Sequence, residues 1–140
     1  MGKVFQKVWV ENATDISNFQ TGLADHIRGF EIEFRVDTGA TGLLLPTAWI
    51  EKLGLISLSE TRLMTGNGEI RSKIFSPVQI TILDRSTITS VTEIKGDKIP
   101  PLLGYIPLQA MELIVDLKNH CLVPTPETKN GYFMEMYLSE

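Results

Sequence analysis

The fold turns on residues 30–41, Phe30-Glu31-Ile32-Glu33-Phe34-Arg35-Val36-Asp37-Thr38-Gly39-Ala40-Thr41. Apolar side chains at 30, 32, 34 and 36 alternate with charged ones at 31, 33 and 35, the period-2 pattern of a half-buried strand. The strand ends on a carboxylate, Asp37, followed by a small hydroxyl residue, a glycine and an alanine. A carboxylate placed there is held by a rigid strand and lies where a second chain can approach it.

Outward from this stretch the chain reads mostly as short strands. Val4 to Val10 alternates and suits an edge or linking strand, and 12–22 is rich in turn formers. Leu43-Leu44-Leu45 is a short buried run. Pro46 suits a first helical position, Thr47 to Leu53 a short helix with Trp49, Ile50 and Leu53 on one side, and Gly54 its stop. Thr61 to Met64 and Ile70 to Phe75 flank Gly66-Asn67-Gly68-Glu69, a hairpin with a glycine-rich, mobile tip. Val78, Ile80 and Ile82 alternate in a further strand. Asp84-Arg85-Ser86 reads as a turn, and Thr87 to Ile94 returns. After the 96–101 loop come a tight apolar segment, Leu102-Leu103-Gly104, and one or two helical turns from Pro107 to Met111. Leu113 to Leu117 and Cys121 to Val123 form a hairpin, and the tail from Gly131 to Leu138 has strand character. The expected class is all-β, closed or nearly closed into a barrel-like lobe, with short helices.

Composition narrows the function. The 140 residues suffice for a single domain with a modest core, and 43% hydrophobic with 21% charged is ordinary for a globular chain. A net charge of −4 gives no basic footprint for nucleic acid. No apolar run approaches the roughly 18 residues a membrane helix needs, and no signal-peptide core precedes Asn12. Asn12-Ala13-Thr14 matches a glycosylation sequon by chance. The lone cysteine, Cys121, fits a reducing cytoplasm and a buried strand position. His26 and His120 have no ligand spacing, so neither a metal nor a cofactor is expected. Neither histidine accompanies a nucleophile motif. Gly66-Asn67-Gly68 lacks the lysine and helix of a phosphate-binding loop.

Asp37-Thr38-Gly39-Ala40 at a strand end, with Leu-Pro and a short helix after it, then a glycine-tipped hairpin, Leu102-Leu103-Gly104 and Leu113-Ile114-Val115-Asp116, resembles retropepsin-like (retroviral-type, clan AA) aspartic proteases. The similarity is to their bacterial, cyanobacterial-type single-domain members and covers most of residues 1–140. The resemblance implies a retropepsin-like fold active as a homodimer, with Asp37, Thr38 and Gly39 as the catalytic loop. It implies that Leu103 and Gly104 pack beside that loop and border the substrate with Ala40, and that the 66–69 tip is a flap closing on an extended polypeptide. Thr38 hydroxyls would reach across the two-fold axis, and Gly39 would permit close backbone approach. Ala40 cannot hydrogen-bond the carboxylate as a serine there would, which implies activity extending towards milder pH.

Two carboxylates sharing one proton provide both an activated water and an acid for the leaving amine. The sequence holds one Asp-Thr-Gly; Asp84 lies in a polar turn, Asp97 in a solvated loop, and Asp116 precedes Leu117-Lys118. The dyad would therefore need Asp37 from two chains. Glu69 at the tip either favours basic substrates or stays in solvent, and Tyr132 to Leu138 either joins a dimer sheet or covers one lobe. The alternatives to a homodimeric aspartic endopeptidase are a non-enzymatic or weakly active module of the same fold, binding extended peptide by strand addition, and a dimeric subunit of a larger complex.

Overall fold

The Phe30–Val36 alternation forms a strand one residue longer at its start. In a computed structural model of the chain, which describes residues 3–96 and 98–129, this strand, β2, spans Gly29–Val36. Ile32 and Phe34 point into the core and Glu31 and Glu33 face outward. The strands around it are β1 (Phe5–Asn12), β3 (Leu43–Pro46), β4 (Ser57–Thr65), β5 (Gly68–Ile82), β6 (Arg85–Ile94) and β7 (Leu102–Leu103). They form one sheet in the order β1-β2-β7-β3-β6-β5-β4. Because β1 also pairs with β5, every strand of this sheet but β4 belongs to a closed ring. Val8, Val10, Ile32, Phe34, Leu43, Leu45, Ile80, Ile82, Val91 and Leu103 fill its interior. Closure leaves β1 with partners on both sides, so it is not an edge strand. A separate hairpin, β8 (Leu113–Asp116) with β9 (Cys121–Pro124), follows. Cys121 is half-buried in β9 rather than fully buried. The tail from 131 to 138 and Asp97 lie outside the described residues.

Among the described residues three short α-helices punctuate the strands. Helix α1, Ala13–Gln20, occupies the segment expected to be turns. Its N-cap Asn12 accepts from the Asp15 amide at 3.0 Å, and its Nδ2 donates to Leu53 O at 2.7 Å. Helix α2, Thr47–Leu53, is where the sequence places it, with Gly54 at φ +69° as its left-handed stop. Pro46 caps it from the end of β3 rather than opening its first turn. Helix α3, Tyr105–Ala110, begins two residues before Pro107. β5 runs unbroken through Pro77, where two strands were expected. A register shift against β6 between Phe75 and Val78 lets the proline sit without a ladder donor, while Ser76 bonds Ile56 instead.

Two charged residues tie distant segments together. Asp15 accepts from the Arg28 backbone amide and from both Nε and Nη2 of its guanidinium, at 2.8–3.0 Å. This fastens α1 to the entry of β2. The hydrogen bonds from Arg28 hold the Asp15 carboxyl below its ordinary range, against an opposing effect of burial. A depressed folded value means the contribution is complete above the ordinary 3.8 and is lost as pH falls through the folded value. Asp15→Asn should therefore cost about 1 kcal/mol at neutral pH, the half-exposed arginine limiting the figure. Denaturant melts should show that difference shrinking below about pH 4. An equal difference at pH 7 and pH 2 would exclude the ion pair as its source.

Arg85, read as a turn residue, is instead 2% exposed at the start of β6. The turn itself is Leu83-Asp84, with Leu83 at φ +57°. The Arg85 guanidinium donates to the carbonyls of Met111, Glu112 and Thr128 and to Thr128 Oγ1, and pairs with Asp84. It locks the segment after α3 onto the barrel.

Candidate active site

β2 delivers the site. The Asp37 amide donates to Leu103 O at 3.0 Å, continuing the parallel β2–β7 pairing one step past the strand. The chain then turns sharply: Ala40 N donates to Asp37 O at 3.0 Å, and Gly39 N donates to Asp37 Oδ1 at 3.0 Å. The second bond fixes the carboxylate by its own loop, as short acidic side chains do in turns.

The segment after β7 supports that loop from beneath. Gly104, Tyr105 and Ile106 donate their amides to Gly42 O, Ala40 O and Thr41 O at 2.8–3.0 Å. These are the otherwise orphaned donors at the start of α3, so helix and loop satisfy each other. A Cβ on Gly104 would lie 2.4 Å from Gly42 O and 2.6 Å from Ala40 O. Its φ of −88° suits any residue, so space alone demands glycine. Gly39 is less confined: a Cβ there would meet only Asp37 Oδ1, at 3.3 Å, so within one chain the close approach belongs to Gly104.

The expected site residues are thus partly assembled. Asp37, Thr38, Gly39 and Ala40 lie on one loop, and Leu103 and Gly104 are bonded to it. Leu103 is fully buried, so its side chain holds the loop up from the core rather than facing a substrate. Asp37 is half-buried, and Thr38 and Gly39 are exposed. Beyond the Gly39 bond, no described residue bonds the Asp37 carboxylate, and the Thr38 hydroxyl has no partner among them. Asp84 is paired with Arg85. Asp116 accepts from Lys118, Asn119 and the Asn119 side chain, and these bonds hold its carboxyl below the ordinary range as it caps the β8–β9 turn.

A cleft opens beside Asp37 and Thr38. Val4, Val36, Val115 and Leu117 wall it, and Lys3 and Arg35 bring positive charge. None of Gly66, Asn67, Gly68 or Glu69 lines it. Those four sit at the tip of the β4–β5 hairpin, where Thr65 pairs with Gly68. Gly68 takes φ +106°, and Thr65 Oγ1 both donates to Gly68 O and accepts from Asn67 N. Glu69 lies 3.5 Å from Arg62 across the hairpin, with Arg71 and Glu60 paired beside them. Sequence reasoning missed Lys3, Val4, Arg35, Val115 and Leu117. Only Arg35 had a legible signal, two residues before Asp37 on the charged face of β2. Among the described residues no group of three metal-ligating side chains gathers, and no helix is long and apolar enough to cross a membrane.

The geometry has counterparts in solved structures. The retroviral protease-like domain of Ddi1 from Leishmania major superposes with a TM-score of 0.56 at 14% identity, covering 90% of each chain. A retropepsin-like aspartic protease from Rickettsia conorii gives 0.54 at 20% identity, over 82% of this chain and 77% of that one. EIAV protease in complex with the inhibitor HBY-793 gives 0.53 at 20% identity, over 77% of this chain and 86% of that one. These likenesses are of fold. No curated protein sequence matches the chain. The family profile described as "Aspartyl protease" matches residues 26–105, from the approach to β2 through the Asp37 loop to the first residue of α3. The chain belongs to the aspartyl protease family, with the retropepsin-like fold.

Proposed function

We propose that the chain is a homodimeric aspartic endopeptidase. The observation that carries this reading is the Asp37 carboxylate. It is anchored through Oδ1 to its own loop, bonded by no other described residue, and flanked by exposed Thr38 and Gly39. The sequence contains a single Asp-Thr-Gly, so a second carboxylate has to come from a second copy. Two loops meeting across a two-fold axis would bring the carboxylates together, where they cannot both ionise readily and share one proton. The ionised partner takes a proton from water. The protonated partner donates to the scissile carbonyl, and the tetrahedral adduct collapses as the amine is protonated. Thr38 hydroxyls, which have no partner among the described residues, would bond the partner loop, and the 66–69 hairpin would close on an extended polypeptide. On this reading residues 1–140 act as one domain in a reducing cytoplasm, and Ala40 borders the substrate while Gly104, buried beneath the loop, holds it in place.

Assembly is the direct test. A shared dyad makes specific activity concentration-dependent. Well below the dimer dissociation constant, each tenfold dilution should cost roughly tenfold in turnover per chain. Sedimentation run alongside a peptide-cleavage assay measures both. Constant specific activity in demonstrably monomeric protein would defeat the shared dyad.

A further inference from the structure

The chain as a whole is acidic, with 17 Asp and Glu against 13 Lys and Arg. The cleft beside Asp37 has the opposite balance: Lys3 and Arg35 against the one carboxylate. Among the described residues neither cation is paired with a carboxylate. In the β1–β2 register Glu33 stands opposite Lys7, whereas Arg35 stands opposite Phe5, so no acidic side chain faces Arg35 across the strands. Two copies would double the cations to a Lys3 and an Arg35 from each chain. The two Asp37 carboxylates, sharing a proton, would carry only one negative charge between them. Among the described residues that line the cleft, the excess positive charge has no counter-ion.

From this juxtaposition, and resting on the peptidase reading, we infer that Lys3 and Arg35 select polypeptides carrying an acidic side chain beside the cleaved bond. Arg35 lies two residues before Asp37, about 6.6 Å along an extended chain. An extended substrate rises by a similar step, so a side chain within about two residues of the cleaved bond comes within reach of the guanidinium. Val36 and Val115 offer apolar surface to the methylenes of a glutamate, while its carboxylate meets the fork of Arg35 and the ammonium of Lys3. An ionised carboxylate would gain charge-assisted hydrogen bonds from both cations that a neutral amide cannot match, so the cleft should favour the acid over its uncharged isostere.

The test is a fixed set of apolar decapeptides in which Glu or Gln occupies each position in turn. Binding is measured to the Asp37→Asn protein and cleavage with the wild type, near pH 6, where free glutamate is ionised. At positions flanking the cleaved bond, Glu peptides should bind and be cleaved about tenfold better than their Gln twins, the scale of a charge-assisted hydrogen bond. Arg35→Gln should bring that ratio close to one and Arg35→Lys should retain most of it. Lys3→Gln, at an exposed position, should reduce it whether or not Arg35→Gln folds. If the cations act only on the dyad, Arg35→Gln slows Glu and Gln peptides alike and leaves no binding preference; that result overturns the inference. So does equal binding of Glu and Gln peptides, or binding of neither. A preserved Glu preference in binding, with no cleavage by the wild type, would support the acidic subsite while defeating the peptidase reading.

Discussion

Asp37→Asn should lower kcat/KM for any cleaved peptide by about a thousandfold or more while shifting Tm by no more than a degree or two. The activity loss follows from symmetry. One substitution removes the proton acceptor and the proton donor together, each of which is worth roughly 10²–10⁴ in rate. The small stability effect follows from the loop. An asparagine Oδ1 still accepts from Gly39 N, and the bonds from Asp37 N to Leu103 O and from Ala40 N to Asp37 O are main-chain and survive. The same variant separates the two readings of the site. A peptide-binding module would lose nothing essential, since strand addition uses backbone hydrogen bonds. Mixing the variant with the wild type sharpens the result. In an equal mixture that exchanges subunits, roughly a quarter of the dimers are wild type in both halves, so activity per wild-type chain should fall by about half. Turnover near the wild-type level in the pure variant would remove Asp37 from the chemistry.

What could be read from the sequence was what neighbours in sequence decide. β2 and its loop were legible because a period-2 pattern and a turn of small residues are local signals. Helix α2 was legible because Gly54 stops it at a left-handed φ. The 66–69 tip lies where Gly66-Asn67 implied, and its Glu69 answers Arg62 across the hairpin, a pairing set by register. Helix α1 was missed although Asn12 with Asp15 is a capping pattern. Thr14, Ser17 and Asn18 lower its intrinsic propensity, and its anchors, Arg28 and Leu53, are remote. Arg85 was placed in a turn because nothing beside it signals burial. Its acceptors come from Met111, Glu112 and Thr128, far along the chain. Within the site the same division holds. Asp37 was legible, whereas the cleft needs Val115 and Lys3 brought from opposite ends of the sequence. Within one chain the confined glycine is Gly104, because confinement depends on which distant backbone packs against it.

That last point yields a stability result that differs from the catalytic one. Gly104→Ala should cost about 3 kcal/mol or more, the upper range for overpacking, and lower Tm on the order of 10 °C for a chain of this size. The added methyl would sit 2.4 Å from Gly42 O and 2.6 Å from Ala40 O, both backbone atoms, which have no rotamer to escape into. Relief requires the loop and α3 to part. Parting strains the bonds from Gly104, Tyr105 and Ile106 to the carbonyls of Gly42, Ala40 and Thr41, leaving donors of the first turn of α3 unpaired. Gly39→Ala is the matched control. Its methyl meets only Asp37 Oδ1 at 3.3 Å, a side-chain oxygen that can shift by tenths of an ångström. It should therefore melt within a few degrees of the wild type, yet lose activity because the oxygen it displaces is the one Gly39 N holds in place. Thermal melts of both variants, read beside peptide cleavage, decide the matter. Equal Tm losses for the two would show that Gly104 is not the packing point beneath the Asp37 loop. A stable Gly39→Ala protein with full activity would show that the position of the carboxylate within its own loop does not govern turnover.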